Sequence, residues 1–205
     1  MKIHIVNGSS AYQQLFIQAG FFLSNAAEAE LVCFTGGEDV SPSLYGDKAH
    51  PTTHNNPHRD FRESELFKDF LIRGLPMVGI CRGAQFLNVM AGGRMYQHVS
   101  RHTSPHYLTD FRTGTEVWVT STHHQMMMPS ENGKLIGASY LHGDREWFDG
   151  EVAKRDKSNE DNEVVLYADK RLLCFQPHPE MYLGYPEYEG MREYFFSLVN
   201  ELIKG

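Results

Sequence analysis

Of the three cysteines in this 205-residue chain, one is set where chemistry can be done. Cys81 lies in "PMVGICRGAQFLNVMAGG" (76–93), bracketed by Gly79 and Gly83 and followed at once by Arg82. Before it, Met77, Val78 and Ile80 read as a buried strand; after it, Phe86, Leu87, Val89 and Met90 read as a buried helix. Strand, Gly-Ile-Cys-Arg-Gly turn and helix form the frame of a nucleophile elbow, with sulfur where a hydrolase would carry a serine oxygen. The strained turn pushes the side chain out above the sheet edge, and small flanking residues let strand and helix pack closely. The helix N-terminus under the sulfur favours thiolate, and the N–H that follows is free to stabilise an oxyanion. Arg82 either adds positive charge nearby or faces solvent. A small buried core cysteine would leave the same pentapeptide, so both readings stay open at this point. Cys33 and Cys174 lie inside apolar runs without flanking glycines and read as core.

A thiolate nucleophile needs a base, and the base needs an orienter. The stretch "CFQPHPEM" (174–181) offers His178 and Glu180, two residues apart and therefore pointing the same way in an extended segment. Pro177 and Pro179 fix φ on either side and stiffen that arrangement. Glu180 would hold one ring nitrogen while the other faces Cys81. A surface turn would use the same residue types.

Strands and helices alternate through the first half. Strand patterns occur at 2–7 and 29–37, and helical spacing joins Tyr12, Leu15, Phe16 and Ala19, stopped by Gly20. Leu66, Phe67, Phe70 and Leu71 share one face of a helix over 60–73, with Gly74 as its C-cap. Further strand-like runs lie at 115–120, 135–140, 163–168 and 171–176. Tyr188, Met191, Phe195, Leu198 and Leu202 form the stripe of a last helix, roughly 187–203. This pattern predicts an α/β protein whose parallel sheet is covered on both faces. The polar, proline-punctuated stretch 38–58 follows a buried strand directly and belongs at the carboxyl edge of the sheet, where ligands bind in such folds.

Bulk properties bound the function. Hydrophobic residues make up 41% and charged residues 22%, an ordinary globular composition for one domain over 1–205. The formal net charge of −7 provides no basic field for nucleic acid. Three scattered cysteines build no disulfide framework, and no run is long enough for a signal peptide or a membrane span, so a cytoplasmic location is expected. Eleven histidines invite a metal reading. His102 and His106 are four apart but separated by Pro105, and His50, His54 and His58 recur within a proline-rich loop. Exposed loop histidines are the expectation for all five, with no metal. "TGGED" lacks the lysine and hydroxyl residue of a phosphate loop, so no nucleotide or other cofactor is expected.

Five stretches together carry a family likeness: "TGGEDVSPSLYG" (35–46), "RDFRESEL" (59–66), "GICRGAQFLNVMAGG" (79–93), "STHHQ" (121–125) and "FQPHPE" (175–180). In this order they resemble the class I glutamine amidotransferase superfamily, and more narrowly its γ-glutamyl hydrolase branch, including the γ-glutamyl-γ-aminobutyrate hydrolase-like proteins. The resemblance implies a flavodoxin-like three-layer sandwich with a mostly parallel central sheet. It implies Cys81 as nucleophile, His178 as base and then acid, Glu180 as orienter, and the N–H groups of Gly37 and Arg82 as the oxyanion hole. Gln85 would contact the γ-glutamyl portion of a substrate, and Ser121, His123, His124 and Gln125 would help bind its α-amino and α-carboxylate groups. A plain solvent-facing role remains the alternative for Gln85, and plain surface histidines for His123 and His124.

Three functions follow from the likeness. One is a hydrolase cleaving a γ-glutamyl amide of a small molecule. Another is a glutaminase subunit passing ammonia to a separate synthetase, and the last is a catalytically silent binding module. A synthetase partner or a homo-oligomer fits these readings; a nucleic acid or a membrane does not. Some features depart from the family pattern. The segment between the first helix and "ELVCF" is compressed, Cys174 and Pro177 stand where glycine and an aromatic residue are common, and 151–163 reads as a solvated loop. Long loops are expected at 38–58 and 94–114, forming either a pocket or a docking surface.

Overall fold

The computed structural model describes residues 1–148, 153–156 and 160–205. Five short parallel strands build the half of the sheet that matters for function: β1 (Lys2–Val6), β2 (Phe22–Leu23), β3 (Leu31–Phe34), β4 (Met77–Ile80) and, far along the chain, β14 (Leu172–Phe175). Each of β3, β4 and β14 is apolar at every position except Gly79, and all are fully buried. Such runs are expected of strands covered on both faces. Alternation within them divides the core. Cys33, Val78, Ile80 and Phe175 meet α1 (Ser10–Gln18) and α4 (Glu189–Lys204) on one side; Val32, Phe34, Met77 and Cys174 meet α2 (Pro57–Ile72) and α3 (Arg82–Met90) on the other. The result is the expected three-layer sandwich.

Beyond β14 the sheet continues through β13 (Asp161–Tyr167), β10 (Lys134–Ser139), β7 (His106–Asp110) and β8 (Glu116–Val119), each antiparallel to its neighbour. All strands of this nine-stranded sheet run in one direction except β13 and β7. The carboxyl end of β8 therefore lies at the same edge as those of β3, β4 and β14. Two small sheets complete the fold, β5 (Arg94–Tyr96) with β9 (Met126–Met128), and β6 (His98–Val99) with β11 (Arg145–Phe148) and β12 (Ala153–Asp156).

Sequence pattern anticipates the long elements and misses short ones. The expected loop 94–114 holds β5, β6 and β7, because strands of two to five residues are too short to display alternation. The stretch 151–163 is not a solvated loop where it is described. Ala153–Asp156 pair with β11, and Asp161 and Glu163 are buried in β13. Residues 151–152 and 157–159 of that stretch lie outside the described residues. In the compressed segment before "ELVCF", the edge strand β2 is only two residues long. Loop 38–58 carries one 3-10 turn, Pro42–Tyr45, and is tied across its neck by the Asp39–Asn55 bridge. Asn56 then caps α2 by accepting from the Arg59 N–H at 3.2 Å, with Pro57 at the first helical position. Among the described residues, no helix is long and apolar enough to cross a membrane.

Candidate active site

Cys81 occupies the turn between β4 and α3 with φ 53° and ψ −114°, a conformation that L-residues adopt only when the surroundings enforce it. Two glycines make the turn feasible. A Cβ on Gly79 would stand 2.4 Å from the Gly83 carbonyl carbon, and one on Gly83 would stand 2.1 Å from the Phe34 carbonyl oxygen. Strand, helix and the neighbouring β3 meet backbone to backbone, and the thiol is left at the sheet edge, 9% exposed. The strand, turn and helix read from the sequence are present, with Cys81 at the turn.

His178 and Glu180 follow β14, which pairs in parallel with β4 so that Phe175 stands opposite Ile80. That register carries His178 to Cys81. Nδ1 of His178 donates to Oε1 of Glu180 at 2.6 Å, which leaves Nε2 for the sulfur. The His178 backbone N–H donates to Thr120 Oγ1 at 2.8 Å, locking the residue to the end of β8. Burial drags the imidazole pKa down. The Cys81 thiolate and the Glu180 carboxylate together outweigh it and hold the value well above the ordinary range. An imidazolium held by a carboxylate and facing the Cys81 sulfur is therefore what this arrangement supports. Cys33 and Cys174 are no rivals, since burial pushes both thiols upward.

Sequence reasoning missed Tyr12. Its hydroxyl accepts from the Gly36 N–H at 3.2 Å and lies 3.5 Å from His178 Nδ1, joining the loop after β3 to the imidazole. Burial and the nearby Glu180 charge keep the phenol protonated. As one apolar position of a helical stripe, Tyr12 gave no sign of this role.

The environment of Arg82 corrects another expectation. Its side chain does not face solvent; it is buried and paired with Asp60 and Glu63 of α2. Burial and the adjacent Arg59 guanidinium lower its pKa to about 10. Its N–H, first in α3, has no intrahelical acceptor. Arg59 extends the same network. It donates to Glu63 at 2.8 Å, to Glu38 at 2.9 Å, and to the Thr35 and Gly36 carbonyls at 3.0 Å each. Gly37, with φ 144°, packs so tightly here that a Cβ would meet the Arg59 guanidinium at 2.0 Å. "RDFRESEL" is thus a buried ionic clamp on both turns that would present oxyanion donors. In the sequence it looks like the polar face of an amphipathic helix.

A cleft of about 190 Å³ opens beside Cys81, lined by 37–39, His54, Gln85 and 122–125. Its floor carries both signs of charge. Glu38 is held ionised, its pKa lowered to about 2 by its own backbone N–H and by Arg59. His124 lies 3.1 Å from Asp39, which raises its pKa. Gln85 reaches the cleft, but its amide donates to the Gln125 carbonyl and to Gln176, each at 3.2 Å. Gln125 is buried and donates to Thr53 at 3.3 Å. Ser121 is not brought to the cleft: it is buried and donates to the His102 carbonyl at 2.7 Å. His123 lines the cleft with one edge only, its ring buried against His102. The expectation of exposed histidines at 102 and 106 fails, since both are buried beside Glu163. His54 and His58 are exposed as expected, and His50 is half-buried.

An elbow cysteine, an imidazole held by a carboxylate and donor turns at the carboxyl edge of a parallel sheet define the class of glutamine amidotransferase-like folds. Across its whole length the chain is similar to a glutamine amidotransferase of Thermotoga maritima, with TM-score 0.68 over 100% of this chain and 99% of that one at 12% identity. A family model, Peptidase C26, matches residues 24–141, and the chain belongs to that family. The match includes Cys81 and ends before His178 and Glu180. Among curated relatives, a candidate glutamine amidotransferase of Mycobacterium tuberculosis is 50% identical over 66 residues, 32% of this chain and 21% of that one. The glutamine amidotransferase-like protein YvdE of Lactococcus lactis is 30% identical over 156 residues, 73% of this chain and 65% of that one. A carbamoyl phosphate synthase small chain of Polynucleobacter necessarius is 27% identical over 142 residues, 67% of this chain and 31% of that one. The chain thus spans less than two thirds of the length of each.

Proposed function

We propose that residues 1–205 form one glutamine amidotransferase-like domain that hydrolyses a γ-glutamyl amide bond of a small molecule through a thioester on Cys81. The observation that carries this reading is the Cys81–His178–Glu180 arrangement, with the 2.6 Å His178–Glu180 contact, at the mouth of a cleft of both charge signs. A zwitterionic glutamyl end suits that cleft: Glu38 for the α-ammonium, His124 for the α-carboxylate. The thiolate attacks the γ-carbonyl carbon, and the N–H groups of Arg82 and Gly37 receive the developing oxyanion. His178 gives its proton to the leaving amine nitrogen as the C–N bond breaks. It then takes a proton from water, which attacks the thioester carbon, releasing glutamate and restoring the thiolate.

The names of the relatives favour a second reading, since one of them is the small chain of a carbamoyl phosphate synthase. There, the same thioester chemistry on glutamine would supply ammonia to a synthetase partner. Glutamate release from glutamine, γ-glutamyl-γ-aminobutyrate and γ-glutamyl putrescine, run beside Cys81→Ala, separates the two. Cys81-dependent turnover of a γ-glutamyl amine supports the free-standing hydrolase, and slow turnover of glutamine alone supports the subunit. No turnover, with no thioester mass adduct on Cys81, leaves the binding module.

A further inference from the structure

Behind the cleft, three buried side chains point unused ligand atoms at one another. His102 follows β6, His123 precedes β9, and Glu163 lies in β13; they are 1%, 5% and 0% exposed. Their potential ligand atoms all lie within 4.8 Å of one another. Among the described residues, Nε2 of His102, Nε2 of His123 and Oε2 of Glu163 have no hydrogen-bond partner. Orphaned buried polar atoms are costly, and three facing one space call for an occupant.

Everything around these atoms is already satisfied in a way that leaves them free. Nδ1 of His102 donates to the Ser100 carbonyl and Nδ1 of His123 to the Gln125 carbonyl, each at 2.8 Å. Both rings therefore hold Nδ1–H on a carbonyl and turn an unpartnered Nε2 inward, the orientation that metal-ligating histidines adopt. Glu163 is oriented through its other oxygen, Oε1, which accepts from His106 at 3.2 Å and from Ser139 at 3.3 Å. Asp161 lies 3.8 Å from His102 Nε2, but its carboxylate is committed to Arg145 at 2.8 Å.

We propose that His102, His123 and Glu163 form a binding site for a divalent cation of the zinc class. Two imidazoles and one carboxylate suit zinc, whereas calcium and magnesium demand oxygen ligands throughout. Two ligands on one tetrahedral zinc stand about 3.4 Å apart. The three ligand atoms lie within 4.8 Å of one another, so small side-chain rotations close the set. His123 borders the Cys81 cleft and gives the ion a way in. The bound ion would tie the segment after β8 to β13 and fix the far wall of that cleft. This site stands whether or not the hydrolase reading holds.

The test uses the full chain carrying Cys81→Ala, so that no thiolate competes for metal. Chelator-treated protein is titrated with zinc, and bound metal and thermal stability are read together. One tightly bound zinc per chain and a rise in Tm are expected. Glu163→Gln and His102→Gln should weaken binding by at least on the order of a hundredfold, and His106→Gln, which loses only an orienting bond, by roughly tenfold. Should those variants fail to fold, cobalt in the Cys81→Ala protein gives the second readout: intense tetrahedral visible bands without sulfur charge transfer. Loss of zinc binding on Cys81→Ala alone, unchanged affinity in Glu163→Gln, or a cobalt spectrum like that of the aqueous ion would overturn the proposal.

Discussion

Arg59→Met tests whether the ionic clamp matters for chemistry as well as for folding. Methionine keeps the stem and removes the guanidinium. The Thr35 and Gly36 carbonyls then lose a charged donor, each such bond contributing about 1.5–3 kcal/mol. Glu63 keeps Arg82 and Asn7 as partners, so it is not left as an uncompensated ion, whose cost would be about 3–5 kcal/mol. Glu38 is half exposed, and its pair with Arg59 adds little. The sum is a loss of roughly 3–6 kcal/mol, read by urea denaturation. The loop Thr35–Gly36–Gly37 also loses its anchor, and an oxyanion donor displaced from its place costs on the order of a hundredfold in kcat. Because that donor acts in the transition state, kcat and kcat/KM should fall together with KM little changed. Arg59→Lys keeps the charge but cannot fork between two carbonyls and two carboxylates. It should recover part of the stability while kcat stays low. A variant Arg59→Met with wild-type kcat would refute the link between clamp and oxyanion turn.

Other predictions follow from the same geometry. Gly83→Ala places a methyl 2.1 Å from the Phe34 carbonyl oxygen and should cost about 1–3 kcal/mol by chemical denaturation; a neutral substitution would mean that the elbow is looser than described. Glu180→Gln removes a charge that keeps His178 protonated, so alkylation of Cys81 by iodoacetamide near neutral pH should slow roughly tenfold. An unchanged rate would show that the thiolate forms without the carboxylate. The raised pKa of His178 means that its stabilising contribution is complete below its unfolded value of about 6.5 and is lost as pH rises through the folded value. The Tm advantage of wild type over Cys81→Ala should therefore shrink as pH is raised, and a constant difference would count against the ion pair.

The legible parts of this molecule are those whose signal is local. β3, β4 and β14 announce themselves as unbroken apolar runs closed by glycine or proline, and the elbow is written in five consecutive residues. His178 and Glu180 are recognisable because two residues of extended chain suffice to relate them. Arg59, Arg82, Asp60 and Glu63 are different: their pairing spans about twenty residues and two elements, and nothing local marks a charged residue as buried. The burial of the histidines at 102 and 106 is hidden for the same reason, since their partner Glu163 comes from a strand far along the chain in a stretch that looks solvated. Ser121, three residues before His124, turns the other way from it and donates to the His102 carbonyl, on the side where the His123 ring also packs.

The pairing of β4 with β14 has a consequence in time. Cys81 and His178 belong to neighbouring strands that nearly a hundred residues of chain separate, and Phe175 must lie opposite Ile80 before the imidazole meets the sulfur. Until that register forms, the thiol lacks the imidazole that faces it in the finished fold, however well the first half of the sheet has collapsed. During synthesis, Cys81 is therefore an ordinary cysteine until the last quarter of the chain has emerged and docked. Reactivity at neutral pH becomes a clock for that final step: a refolding chain probed with a thiol reagent reports the arrival of β14 and not the earlier formation of the core.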